Sequence, residues 1–237
     1  MALIVNGIEI EKVIFNGNEV ENLVLNGVSI WSSGFKKLRQ FIDRSIESVT
    51  AEDLEGVSMI KPYAFYECKN LKSVQLPDTC SNVSSYAFAY CTSLEELDVG
   101  DNVNSLSNYA FAYCSNLKTI NLGNVEYLST RTFGYCTSLT NIELPEGLKN
   151  LDSYEFQNCT GLTYMKIPAT VTYFDAKTFE GCTNLKTIRF SSIEPPLFAS
   201  ASNLPEGVTR IEVPSESLSA YQTKAENTNY AQLMVGV

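Results

Sequence analysis

The fold class predicted by the sequence is an α/β solenoid: short parallel strands stacked in register, joined by short helical or irregular returns, and preceded by a β-hairpin arm and one amphipathic helix. Three observations predict it. Six cysteines, Cys68, Cys91, Cys114, Cys136, Cys159 and Cys182, follow one another at intervals of 23, 23, 22, 23 and 23 residues, and such fixed-period self-similarity marks a stacked-repeat architecture. An aromatic stands three positions before each cysteine (Phe65, Phe88, Phe111, Phe133, Phe156, Phe179) and a leucine three after (Leu71, Leu94, Leu117, Leu139, Leu162, Leu185). Two more apolar positions follow each leucine, as Val74/Leu76, Leu97/Val99, Ile120/Leu122, Ile142/Leu144, Met165/Ile167 and Ile188/Phe190, the alternation of a half-buried strand.

The elements follow in chain order. Residues 1–31 form a separate array of period 10, with Val5-Asn6-Gly7, Phe15-Asn16-Gly17 and Leu25-Asn26-Gly27 each followed by apolar strand residues such as Ile8/Ile10, Val20 and Val28/Ile30. Asn-Gly accepts positive φ at both positions of a tight turn, so three hairpins are expected. An arm this short cannot bury enough apolar surface to fold alone. Val13, Phe15, Leu23, Leu25, Ile30 and Trp31 are therefore expected to form an anchoring or oligomerisation face that meets another chain or another copy of this one.

Residues 32–53 read as a linker and a capping helix. Phe35, Leu38, Ile42, Ile46 and Val49 fall on one face of a helix over 35–49 that Ser33 can cap. Lys36, Lys37, Arg39 and Arg44 on the opposite face read as solvated charge. Residues 54–190 are assigned to the solenoid, which opens with a truncated unit in which Glu55-Gly56-Val57 and Ile60 align with Glu146-Gly147-Leu148 and Leu151. A second apolar pair recurs in each unit (Cys80/Val83, Val103/Leu106, Val125/Leu128, Leu148/Leu151, Val171/Phe174), so the seventh cysteine fills an apolar slot. Stretches such as SSYAFAYC precede the cysteines, and their Ser or Asn is expected to cap one helical turn. Residues 191–237 are expected to cover the far end of the stack.

The repeating unit resembles the BspA-like branch of the leucine-rich repeats, A-F-x-x-C-x-x-L-x-x-I-x-L-P, carried here by Ala64-Phe65 to Pro77, Ala87-Phe88 to Val99 and their counterparts through Phe190. The end of the chain, with Pro195-Pro196-Leu197, Ile211-Glu212-Val213-Pro214, Ser217-Leu218 and Ala220-Tyr221, resembles the closing segment of that family. The resemblance implies a leucine-rich-repeat solenoid. Residues 1–31, ending in N-G-V-S-I-W at Trp31, resemble N-terminal segments of bacteriophage tail and virion proteins.

Composition excludes several function classes. The 237 residues carry 17 Lys and Arg against 27 Asp and Glu, a net charge of -10 that repels a phosphate backbone, so nucleic acid is not an expected partner. There is no histidine, which removes the imidazole base of His-dependent triads and the commonest zinc ligand. No run approaches the roughly 18 apolar residues of a membrane helix, so membrane insertion is not expected. The start, MALIVNGIEIEKV, lacks a basic region followed by a long apolar core, and an unprocessed chain is expected. The cysteine column could in principle bridge or hold a metal, but no second ligand type accompanies it, and reduced cysteines packed in the core are the expectation. Asp98-Val-Gly-Asp101-Asn102-Val-Asn104 has the composition of a calcium loop without its closing glutamate and reads as a solvated turn. No catalytic residue, cofactor or metal is expected.

Two surfaces remain as candidate binding sites. The outward positions of the strands, Ser73, Glu96, Thr119, Asn141, Tyr164 and Thr187 with Gln75, Asp98, Asn121, Glu143, Lys166 and Arg189 beside them, are expected to line a concave recognition face. Its charge runs from acidic in the second unit to basic in the last, which points to a partner with polarity of its own. Tyrosine supplies the second surface, since 11 of the 13 lie between positions 63 and 173. Tyr86 and Tyr109 precede the Ala-Phe slot, and Tyr90, Tyr113 and Tyr135 precede the cysteine. These rings either stack on sugars and contact protein or cover the return side of the solenoid. The expected function is non-enzymatic display: a bacteriophage virion protein, anchored by its arm and presenting the repeats to a protein or glycan on a cell surface. The alternative is a bacterial cell-surface adhesin or a fragment of one.

Overall fold

The computed structural model describes residues 46–199, 204–226 and 231–237, together with the backbone of six short strands before them. Those strands form three antiparallel pairs: β1 (Leu3–Val5) with β2 (Ile8–Ile10), β3 (Ile14–Phe15) with β4 (Asn18–Glu19), and β5 (Leu23–Leu25) with β6 (Val28–Ile30). The side chains proposed for anchoring, on Val13, Phe15, Leu23, Leu25, Ile30 and Trp31, lie outside the described residues, as does the predicted helix as far as residue 45.

From residue 48 the strands lie on two faces of a coil. They are β7 (Ser48–Val49), β8 (Met59–Ile60), β9 (Ser73–Gln75), β10 (Asn82–Val83), β11 (Glu96–Asp98), β12 (Ser105–Leu106), β13 (Thr119–Asn121), β14 (Tyr127–Leu128), β15 (Asn150–Leu151), β16 (Tyr164–Ile167), β17 (Tyr173–Phe174), β18 (Thr187–Phe190), β19 (Leu197–Phe198), β20 (Arg210–Val213) and β21 (Met234–Gly236). All pair in parallel. The front face carries β7-β9-β11-β13 and β16-β18-β20-β21, and the back face carries β8-β10-β12-β14 and β15-β17-β19. The pairing is in the register of the repeat, for example Leu97 opposite both Val74 and Ile120.

Two boundaries move. Val49, placed by its spacing at the end of a helix, is a buried residue of β7 and pairs with Val74. The apolar spacing of Ile46 and Val49 is also that of Leu71 and Val74, and partners in the next rung decide the outcome in favour of strand. The stack thus begins before residue 54. At the far end, β20 and β21 extend the front sheet into the segment assigned to the cap. There α1 (Leu218–Lys224) buries Tyr221, whose hydroxyl donates to the Ser192 carbonyl at 2.8 Å.

The third side of the coil is not helical. It is a run of turns whose alternate N–H groups bond to the next rung, as Phe65 N to Ala87 O (2.7 Å), Phe88 N to Ala110 O (2.8 Å) and Phe156 N to Thr178 O (3.0 Å). Tyr63, Tyr86, Tyr109, Arg131 and Tyr154 precede the Phe column at φ between 56° and 73°, and Glu67, Tyr90, Tyr113, Tyr135 and Asn158 follow it at φ between 57° and 64°. This left-handed backbone replaces the expected capped helical turns; the last turn of the column differs, with Asp175 accepting from Lys177 N at the start of the 3-10 turn Ala176–Phe179.

Inside, the six phenylalanines stack as a ladder with ring centroids 4.7 to 5.8 Å apart. All seven cysteines are buried thiols outside any disulfide. Their identity has a physical reason beyond size: the thiols of Cys91, Cys114, Cys136, Cys159 and Cys182 donate at 3.0 to 3.3 Å to phenylalanine carbonyls of the preceding rung. Burial pushes Cys136 and Cys182 up to about 12, so these are inert thiols, as thiolate chemistry requires the opposite shift.

Candidate functional site

Strand alternation turns the outward positions of the front sheet to solvent. Gln75, Glu96, Thr119, Asn121, Lys166 and Arg189 are exposed, and Ser73, Asp98 and Thr187 are half-buried beside buried Val74, Leu97 and Ile188. The sheet is not continuous. Residues 139–145 of the fourth unit form no strand, so β13 ends one sheet and β16 begins the next. Around this interruption lies a depression of about 920 Å³, and six of the predicted positions line it: Thr119, Asn121, Asn141, Glu143, Tyr164 and Lys166.

The opening has a local cause. The turn after β13 is one residue shorter than its equivalents, with Leu122 three positions before Val125 where Val99 stands four before Val103. Gly123 makes that turn at φ 50° and packs so closely on Gly100 that a Cβ would collide with the Gly100 carbonyl. The interruption of the front sheet falls at the unit that follows this turn. Ile120 is consequently half-buried, while its column neighbours Val74 and Leu97 are 2% and 3% exposed.

Electrostatics differ from the expected gradient. Arg189 and Arg210 both pair with Glu212, at 3.8 and 2.9 Å, so a carboxylate that the strand pattern did not include offsets part of the charge at the basic end of the front face. Lys118 pairs with Glu95 at 2.7 Å, and this hydrogen-bonded lysine holds the Glu95 carboxyl below its ordinary range. Lys166 lies 3.4 Å from Glu146. Asp98 accepts from Gly100 N and the Asn121 amide at 3.1 and 3.0 Å, which makes its loop a hydrogen-bonded turn. No cluster fit for a metal ion occurs among the described residues.

The tyrosine columns run along the turn side. Tyr63, Tyr86 and Tyr109 stack face to face at 5.1 and 4.7 Å, and Tyr90, Tyr113 and Tyr135 at 4.3 and 4.5 Å. Arg131 continues the first column, its guanidinium 5.6 Å from the Tyr109 ring and 4.7 Å from the Tyr154 ring, with Nη1 donating to the Tyr109 hydroxyl at 2.8 Å. Each inner ring thus has both faces covered by its neighbours, and what it turns outward is an edge and a hydroxyl. That geometry favours the covering role over sugar stacking, which needs an open ring face.

The structure also assembles a group that sequence reasoning passed over. Glu155 is fully buried beside Asp152 and Asp175; its Oε1 accepts from Asp152 N at 3.1 Å and its Oε2 has no hydrogen-bond partner. Burial, with the Asp152 and Asp175 charges adding to it, pushes the Glu155 carboxyl well above the ordinary range. A signal was present: Glu155 stands in the column of Ala64, Ala87 and Ala110, where a long acidic side chain is anomalous.

A model of the BspA type leucine-rich repeat region, in six copies, matches residues 36–133 and 123–221. A leucine-rich repeat protein of T. pallidum is 24% identical in sequence, with 78% of this chain and 86% of that one covered at a TM-score of 0.60. A leucine-rich cell surface protein of Faecalibacterium prausnitzii is 22% identical, with 87% and 71% covered at a TM-score of 0.51. At these identities the likeness shows the fold. No curated protein matches the chain. The resemblance of residues 1–31 to bacteriophage proteins has no counterpart among these matches.

Proposed function

The chain belongs to the BspA-type leucine-rich repeat family, and from that membership we propose that it is a non-enzymatic binding protein displayed at a bacterial cell surface, its front face turned to a protein or glycan of another cell. The carrying observation is the interrupted front sheet, which gathers six outward side chains from three units around one depression. Repeat solenoids use extended faces of this kind for recognition. The solved F. prausnitzii relative is described as a cell surface protein, which supports the location. A virion role and self-association through residues 1–31 are the further reading, supported by three strand pairs with edges to fill; the family match favours a cell surface over a virion.

The test is adhesion of the labelled full chain to host cells and cell-surface extracts. Tyr164→Ala combined with Asn141→Arg on the front face is expected to abolish adhesion, and Tyr127→Ala on the back sheet to leave it unchanged. Equal effects of the two variants, or turnover of a surface glycan by the parent chain, would overturn the proposal.

A further inference from the structure

The opening carries two kinds of chemistry that together select a ligand. Its backbone side is the edge of β13, Thr119–Asn121, which has a paired neighbour, β11, on one side only. An edge strand offers N–H and C=O groups at alternate spacing, a template for another extended chain. Below that edge the opening uncovers Ile120, an apolar floor absent where the sheet is closed.

The side-chain chemistry is an uncompensated acid. Lys118 and Lys166 are engaged by Glu95 and Glu146, whereas Glu143, exposed on the lining, has no ion-pair partner among the described residues. Across the depression Tyr164 is 38% exposed, and unlike the stacked tyrosines of the turn side it has no ring neighbour among the described residues. An open phenol ring and a carboxylate lining one depression suit a guanidinium or ammonium group.

Resting on the reading of the front face as the binding surface, we infer that the opening takes an extended basic polypeptide segment: its backbone adds to the edge of β13, an apolar side chain covers Ile120, and a Lys or Arg sits between Glu143 and Tyr164. A neutral glycan would leave the strand edge and the Glu143 charge unanswered.

The test uses the full chain and a fluorescent peptide of about eight residues, a common strand length, alternating threonine and isoleucine around a central arginine. Fluorescence anisotropy is expected to show saturable binding, weakened about tenfold when the arginine is replaced by glutamate, the scale of a lost charge-assisted contact. N-methylation of alternate backbone amides is expected to abolish binding. Glu143→Lys, at an exposed position where circular dichroism can verify the fold, is expected to reverse the preference in favour of the glutamate peptide. Equal binding of both peptides, indifference to Glu143→Lys, or tolerance of N-methylation would each overturn the inference. If no peptide binds while the Tyr164 and Asn141 variant still loses adhesion, the peptide inference falls and the front-face reading stands. If that variant also keeps full adhesion, both fall.

Discussion

The first three units and the last three follow one template and pack differently. In the first three, Phe65, Phe88 and Phe111 stack at 4.7 and 5.0 Å; in the last three, Phe133, Phe156 and Phe179 stand 5.6 and 5.8 Å apart. The residues flanking the rings differ in the same order. Ala64, Ala87 and Ala110 precede the first three, while Thr132, Glu155 and Thr178 precede the others. After the rings stand Tyr66, Ala89 and Ala112 in the first half and Gly134, Gln157 and Glu180 in the second, where Gln157 donates to Glu180 at 2.9 Å. Alanine before the ring lets successive turns close until the rings meet; a longer or polar residue there holds the turns apart and needs partners of its own. The stack is thus tightened by what surrounds the phenylalanine as much as by the ring itself.

The largest expected effect comes from testing that difference directly. Phe88→Ala and Phe156→Ala each empty a fully buried site, and about 3–5 kcal/mol of stability should be lost in each, with Phe88 at the upper end because its ring meets both neighbours more closely. Urea denaturation midpoints measure this, and equal losses would show that ring spacing carries no energetic weight.

A smaller effect is expected at Glu155, the most irregular residue of the second half. Its buried carboxyl has a raised pKa, so the folded state holds a proton that the unfolded chain releases near pH 4.3. The associated stability is present below that pH and is lost as pH rises toward the folded value. The parent should therefore weaken as pH rises above about 4.3, and Glu155→Gln, which carries no charge at any pH, should flatten that slope and be the more stable of the two at neutral pH. A variant whose pH profile parallels the parent's would assign the slope elsewhere.

The smallest effect separates backbone from ring in the regular half. Tyr113 has φ 63° and stacks on Tyr90 and Tyr135. Left-handed backbone costs a non-glycine residue about 1 kcal/mol, an amount that aromatic stacking offsets in part. Tyr113→Gly should therefore melt above Tyr113→Ala, the reverse of the order in a helix, and thermal unfolding of the two variants reads the difference.

Much of the molecule was legible beforehand, and the exceptions share a cause. The Phe, Cys and Leu columns and the outward strand positions follow from spacing along the chain, because each buried residue recurs at the same place in every unit. Spacings of three and four suit a helix and also this repeat, so Val49 reads as helical along the chain and only pairing with Val74 makes it strand. The turns before each cysteine read as capped helix because Ser, Ala and Tyr carry no mark of positive φ; in that column only Asn158 and Gly181, at φ 57° and 76°, carry one, and they stand in its last two units. Glu155 did carry a mark, the break in its alanine column, but its isolation from water depends on residues of two neighbouring turns.

The sequence by itself determined the period, the parallel stacking and the identity of the core, since a pattern of apolar residues repeated six times admits one way of burying them all together. Tertiary structure alone decided where the front sheet opens, which charges are neutralised and which ring faces remain free. Those properties belong to the distance between one unit and the next: a turn shortened by one residue at Gly123, a Glu212 brought beside Arg189, a tyrosine covered by the tyrosine of the following rung. A linear pattern states what each unit contains, and the gap between units exists only once they are stacked.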